Sequence, residues 1–248
     1  MNIDVITLFP QMFLAPMGDS ILGRARNKGI LELKLHNLRD FSEDKHKRVD
    51  DYPYGGGAGM VLQAPPIFNA LEAIAEENSR IIYMSPKGKT FHQEMAISLS
   101  KEKHLIFLCG HYEGIDQRVL DYWEAEEISI GDYVLTGGEI PAMVVIDSVA
   151  RMLPGVLSQE ECFKEESFYE GLLEYPQYTR PSDFRGMPVP EVLLSGNHKK
   201  IDEWRKVEAF KLTIKNRPDL MIRYLDEKKI SEKDRTLIQR LQEEELSK

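Results

Sequence analysis

Two stretches each place glycines and carboxylates at or just beyond an apolar run. They are Leu108-Cys109-Gly110-His111-Tyr112-Glu113-Gly114-Ile115-Asp116 and Ser129-Ile130-Gly131-Asp132-Tyr133-Val134-Leu135-Thr136-Gly137-Gly138-Glu139. Ligands of open α/β sheets bind beyond the carboxyl ends of strands, which is where both stretches fall. A wall of backbone amides and carbonyls suits an adenine ring, and carboxylates such as Glu113 suit a cation. S-adenosylmethionine combines the two, because its amino and sulfonium groups are positive. Two structural turns would use the same residue types, and composition leaves both readings open.

Other candidates are weaker. Gly88-Lys89-Thr90 follows a strand-like run, but a phosphate loop needs a glycine five positions before Gly88, where Tyr83 stands. Without it the backbone cannot wrap a phosphate, so a turn is expected there and a nucleotide hydrolase is disfavoured. Tyr54-Gly55-Gly56-Gly57-Ala58-Gly59-Met60 follows no buried strand and fails the dinucleotide pattern. It reads as a surface loop whose backbone could lie flat against a nucleobase. His111 and His198 sit in a loop or at a helix start, and no His or Cys pair has metal-ligand spacing. Two cysteines, Cys109 and Cys162, make no disulfide framework and fit a reducing, cytoplasmic setting.

The elements that must position these loops alternate. Apolar runs predict strands at 2–8, 31–36, 80–84, 104–109, 127–129 and 133–135, with helical patterns at 67–77, 93–101, 117–123 and 143–153. Short buried strands alternating with helices argue for an α/β sheet covered on both faces. After Pro154-Gly155 the character changes: residues 159–175 hold six acids and little periodicity, which reads as a flexible linker. A proline-rich loop follows, then an amphipathic basic helix at 198–216 and a final pair at 219–226 and 231–246, the last with an N-cap at Ser231.

The 248 residues carry a net charge of −9, unevenly spread. Residues 113–139 hold eight acids and one base, whereas 196–224 hold eight bases and four acids. With Lys45-His46-Lys47-Arg48 and the trio Arg24, Arg26 and Lys28, three basic clusters permit an RNA footprint, although solvated faces would look alike. No stretch approaches the roughly 20 apolar residues of a membrane span. The opening MNIDVITLFP lacks a basic leader and reads as a first strand.

The strings LFPQMF, VDDYPYGGGAGM, YMSPKG, CGHYEGIDQRV, SIGDYVLTGGEIPAMVVIDSVARMLPGVL, ESFYEGLLEYPQYTRP and LLSGNH, in this order, resemble the bacterial tRNA (guanine-N1)-methyltransferases, the TrmD family of the SPOUT superfamily. The resemblance implies an α/β fold with a parallel sheet and a deep trefoil knot over 1–158, a linker over 159–175 and an all-helical tRNA-binding domain over 176–248. It also implies a homodimer with active sites at the subunit interface, and methylation at N1 of guanosine 37 in the tRNA anticodon stem-loop. S-adenosyl-L-methionine would be the donor, and the need for a divalent cation stays open.

By position, the donor site implied is Pro86, Gly110, Glu113, Ile130, Gly131, Asp132, Tyr133, Val134, Leu135, Gly137, Gly138 and Pro141. Arg24, Asp50, Gly59, His46 and Ser195 would meet the guanosine and its tRNA. Guanine N1 carries a proton, so a base must remove it while a cation steadies charge on O6. The family's linker carboxylate and knot-helix arginine align with Glu166 and Arg151. The carboxylate is usually an aspartate; here Glu166 is one methylene longer, and Glu165 is its rival. A non-catalytic RNA-binding protein of the same fold is the remaining alternative.

Overall fold

The computed structural model describes residues 1–157, 166–228 and 230–247. The chain divides into two compact units, Met1–Glu160 and Glu161–Lys248.

The first unit runs β1 (Asn2–Thr7), a 3₁₀ turn (Pro10–Phe13), α1 (Leu14–Gly18), α2 (Ser20–Asn27), β2 (Glu32–Asn37), a second 3₁₀ turn (Leu38–Phe41), β3 (Asp50–Asp51) and β4 (Val61–Leu62). It continues with α3 (Ala64–Ile74), β5 (Arg80–Thr90), α4 (Gln93–Leu99), β6 (His104–Cys109), α5 (Gln117–Tyr122), β7 (Glu126–Ser129) and α6 (Glu139–Ala150). Five strands pair in the order β2-β1-β6-β5-β7, every pair parallel. Alternation along each strand divides the core between the two faces. Ile3, Val5, Ile82, Met84, Leu105 and Phe107 pack with residues of α2, α4 and α6. Ile6, Ile81, Tyr83, Ile106 and Leu108 pack with residues of α3 and α5.

Several expected boundaries move for physical reasons. Both α3 and α6 begin earlier than predicted because they take prolines into the first turn, where no amide hydrogen is needed. The strand expected at 133–135 does not form: Val134 is 82% exposed and the segment joins no sheet. Its apolar residues stand beside a cleft instead of in a ladder. The turn expected at Gly88-Lys89-Thr90 is replaced by a continuation of β5. Met84 and Lys89 both pair with Ile128, so residues 85–88 bulge from the ladder. Gly88 makes this possible, since a Cβ there would strike the Glu127–Ile128 backbone.

The second unit holds α7 (Glu191–Leu194), α8 (His198–Asn216), α9 (Pro218–Glu227) and α10 (Glu232–Leu246). Phe210, Met221, Ile238 and Leu241 form its core. Asn197 caps α8 by accepting from Lys200 N at 3.2 Å, and Ser231 caps α10 by accepting from Asp234 N at 3.1 Å. The proline-rich segment is not only loop. β8 (Asp183–Phe184) and β9 (Met187–Pro188) form a hairpin through Arg185 and Gly186, whose φ of +56° and +79° suit a tight primed turn. Part of the expected linker, 159–165, lies outside the described residues. From 166 the chain is tied down: Leu173 N donates to Thr213 Oγ1 at 2.9 Å, and Leu172 packs on the helical core.

Candidate active site

Beyond the carboxyl ends of β6 and β7 the two glycine-bearing loops face one another. Gly138 N donates to Gly110 O at 2.9 Å, and His111 and Gly137 form an isolated antiparallel bridge. At Gly138 a Cβ would lie 2.8 Å from Cys109 Cα and 2.9 Å from Gly110 N. At Gly137 it would lie 2.8 Å from His111 Cδ2 and would collide with the Glu139 carboxylate. Neither position needs a positive φ. This pair is glycine because another piece of chain occupies the space.

The loops and the bulge of β5 enclose a cleft of about 290 Å³. Of the twelve residues expected at the donor site, eleven line it: Pro86, Gly110, Glu113, Ile130, Gly131, Tyr133, Val134, Leu135, Gly137, Gly138 and Pro141. Asp132 is not among the lining residues. Within the 130–138 loop, Ser129 Oγ donates to Gly131 O at 3.0 Å and Tyr133 OH donates to Ile130 O at 3.2 Å, which fixes the wall from inside. Tyr83 forms part of the lining beneath Gly110, where a Cβ would lie 2.8 Å from its ring. Burial pushes the Tyr83 phenol up to about 12, and the charge of Glu127 adds to the rise, so it stays a neutral hydroxyl. Cys109 is free and buried; burial, then the charge of Glu139, holds its thiol well above the ordinary range.

A third loop closes on the same place. β3 and β4 form a short antiparallel pair, Asp50 opposite Leu62, and carry the glycine-rich residues 52–60 between them. Glu113 N donates to Met60 O, Leu62 N donates to Gly114 O and Asp116 N donates to Leu62 O, each at 3.0 Å. Gly59, at φ +92°, lies against Glu113: a Cβ would come within 2.6 Å of its Cγ. The structure thus brings Gly59 to Glu113 and puts Asp50 at the root of the same hairpin.

The remaining expected residues stand elsewhere. Arg24 is exposed on α2, and His46 is exposed with its amide donating to Asp44 Oδ1 at 2.7 Å. Neither lines the cleft. Arg48, in the same basic knot, is bound by Asp44, whose carboxyl is held below its usual range by that hydrogen bond. Arg151 is the half-buried C-cap of α6, its amide donating to Asp147 O at 3.2 Å. Glu166 belongs to the second unit and accepts from Tyr169 N at 3.4 Å through its carbonyl. Its rival Glu165 lies outside the described residues, as does Cys162. Ser195 is the exposed C-cap of α7.

Sequence reasoning gave no role at this site to Tyr83, Lys87 or His111, all of which line the cleft, or to buried Glu139 behind it. His111 sat in a glycine loop, which was the available signal; Tyr83 read as strand. Among the described residues no group of three or more His, Cys, Asp or Glu is placed to hold a metal ion, and no helix is long and apolar enough to cross a membrane.

A parallel α/β unit with a glycine-walled cleft beyond its strand ends, followed by a second unit that is mainly helical but carries the β8–β9 hairpin and so is not all-helical, is the class these features define. The chain belongs to the family described as tRNA (Guanine-1)-methyltransferase TrmD, which matches residues 1–223. It is 59% identical over 237 residues to a tRNA (guanine-N(1)-)-methyltransferase of Alkaliphilus oremlandii, covering 92% of this chain and 95% of the relative. The enzymes of the same name from Dictyoglomus turgidum and Bacillus cereus are 53% and 52% identical, and the matches span 98% of this chain in both cases and 98% and 99% of the relatives. It is a methyltransferase.

Proposed function

We propose that this chain transfers the methyl group of S-adenosyl-L-methionine to N1 of guanosine 37, on the 3′ side of the tRNA anticodon. The observation that carries the reading is the cleft itself, walled by eleven of the residues expected to hold the donor. Its volume of about 290 Å³ sits at the small end of the roughly 300–1,000 Å³ usual for small-molecule sites. Backbone groups of 110–114 and 130–138 suit the adenosine, while Glu113 and Lys87 offer opposite charges for the amino and carboxylate groups of the methionine part. When bound, the donor supplies an electrophilic methyl on a sulfonium.

The protein's own groups do the rest. Glu166 takes the N1 proton, and Arg151 steadies the negative charge that develops on O6. Asp50 and Gly59 present the guanosine from the hairpin that rests on Glu113. Arg24, His46, Ser195 and the bases of α8 hold the tRNA. The tight passage of Gly138 across Cys109 and Gly110 supports a chain threaded into a trefoil knot in this region. A homodimer is supported by apolar surface. Ile140 and Val144 stand exposed on α6, and the 3₁₀ turn it packs against, together with α1, exposes Met12 and Leu14. A tRNA substrate supports a cytoplasmic location.

Donor labelled in its methyl group, incubated with unmodified tRNA carrying guanosines at positions 36 and 37, should label N1 of guanosine 37 alone. No label on the base would overturn the activity. Glu166→Gln should lower turnover by about 10²–10⁴-fold while leaving donor binding intact. Turnover near that of the unaltered protein would remove Glu166 from the mechanism.

A further inference from the structure

Glu139 is the buried acid that the mechanism above leaves unused. It is the first residue of α6 and only 2% exposed. Its Oε1 accepts from Thr7 Oγ1 at 2.7 Å, and Thr7 Oγ1 in turn accepts from Phe9 N at 2.9 Å. Its Oε2 presses on Gly137 closely enough to exclude a Cβ. Gly137 and His111 line the cleft and Glu139, pressed against Gly137, does not. Among the described residues no Lys or Arg pairs with it, and the His111 ring lies against the same side of Gly137. The first turn of α6 and one hydroxyl are modest compensation for burying a charge.

We propose that Glu139 is a specificity-determining residue of the cleft, its buried charge favouring the cationic methyl donor over the demethylated product. The inference rests on the donor reading above. Methyl transfer converts a sulfonium to a neutral thioether, so a fixed anion behind the wall loses its partner when the reaction is complete. The product is then held less firmly than the donor. Glu113, exposed at the cleft, is screened by solvent and cannot supply the same discrimination. Gly137 is glycine, on this view, so that the carboxylate can come close.

Calorimetric titration with three ligands tests this: S-adenosylmethionine, S-adenosylhomocysteine and sinefungin, which carries an amine where the donor has its sulfonium methyl. The unaltered protein should bind the two cationic ligands more tightly than S-adenosylhomocysteine. Glu139→Gln, which keeps shape and the acceptor for Thr7, should weaken both cations about tenfold and S-adenosylhomocysteine less than twofold. Glu139→Asp, which keeps charge and loses reach, should retain the preference. A merely structural role predicts the reverse, with Gln harmless and Asp weakening all three alike, and that result would overturn the proposal. If Glu139→Gln does not fold, Thr7→Val decides, because untethering the carboxylate should shrink the preference; an undiminished preference overturns it. Failure of the unaltered protein to bind any of the three would sink the donor reading itself.

Discussion

At Gly55, Gly56 and Gly57 the backbone takes φ of +87°, +78° and +128°, and a Cβ would meet nothing within 4 Å. At Gly138 the φ is −82°, open to any residue, yet a Cβ would run into the Cys109–Gly110 backbone. Both stretches read as glycine clusters, but one needs a conformation and the other needs room. The first costs a substitution backbone strain at an exposed loop, and the second sets chain against chain in a packed wall. The functional consequence differs as well. The hairpin loop 52–60 is anchored at its ends and open at Gly55–Gly57, as the proposed presentation of the guanosine requires, whereas 136–138 is part of the cleft's frame.

Substitutions can break this comparison. Gly138→Ala should have the largest effect, a loss of about 3 kcal/mol or more, because backbone on both sides leaves little to repack. A melting temperature within a few degrees of the unaltered protein would show that the close approach is not a constraint.

The packed side should also respond to alkali through Tyr83. Its folded-state value of about 12 lies above the ordinary 10.0, so the unfolded chain gives up its proton first. The stability it carries is complete below pH 10 and is lost as pH rises toward 12, by at most about 2–3 kcal/mol. Tyr83→Phe should flatten that alkaline loss in denaturant titrations; an unchanged slope would place the effect elsewhere.

Gly56→Ala should cost least, about 1 kcal/mol from the left-handed backbone, with the donor's affinity unchanged and tRNA turnover reduced. A stability loss as large as that of Gly138→Ala would erase the distinction between the two clusters.

Much of the first unit was legible because alternation along strands and the 3.6-residue period of helices are local signals. β6 and α8 have the bounds read from sequence alone. Misreadings came where a local signal served a distant contact. The run 133–135 looks like a strand, but its apolar side chains border the cleft. The Gly88-Lys89-Thr90 turn signal marks the return of a bulged strand to its partner. The glycine of the 52–60 loop that touches the cleft's frame, Gly59, cannot be told from its neighbours by composition, since only Glu113 distinguishes it.

By itself the sequence determined the α/β alternation, the change of character after Pro154-Gly155, the basic α8 and the two glycine-bearing loops as places for a ligand. Periodicity, caps and charge act within a few residues, so they survive in one dimension. Tertiary structure alone decided that the loop after β6, the loop after β7 and the 52–60 hairpin meet, and that Glu139 lies buried behind Gly137. Those contacts join residues far apart in the chain, and nothing in either partner's own neighbourhood records the other.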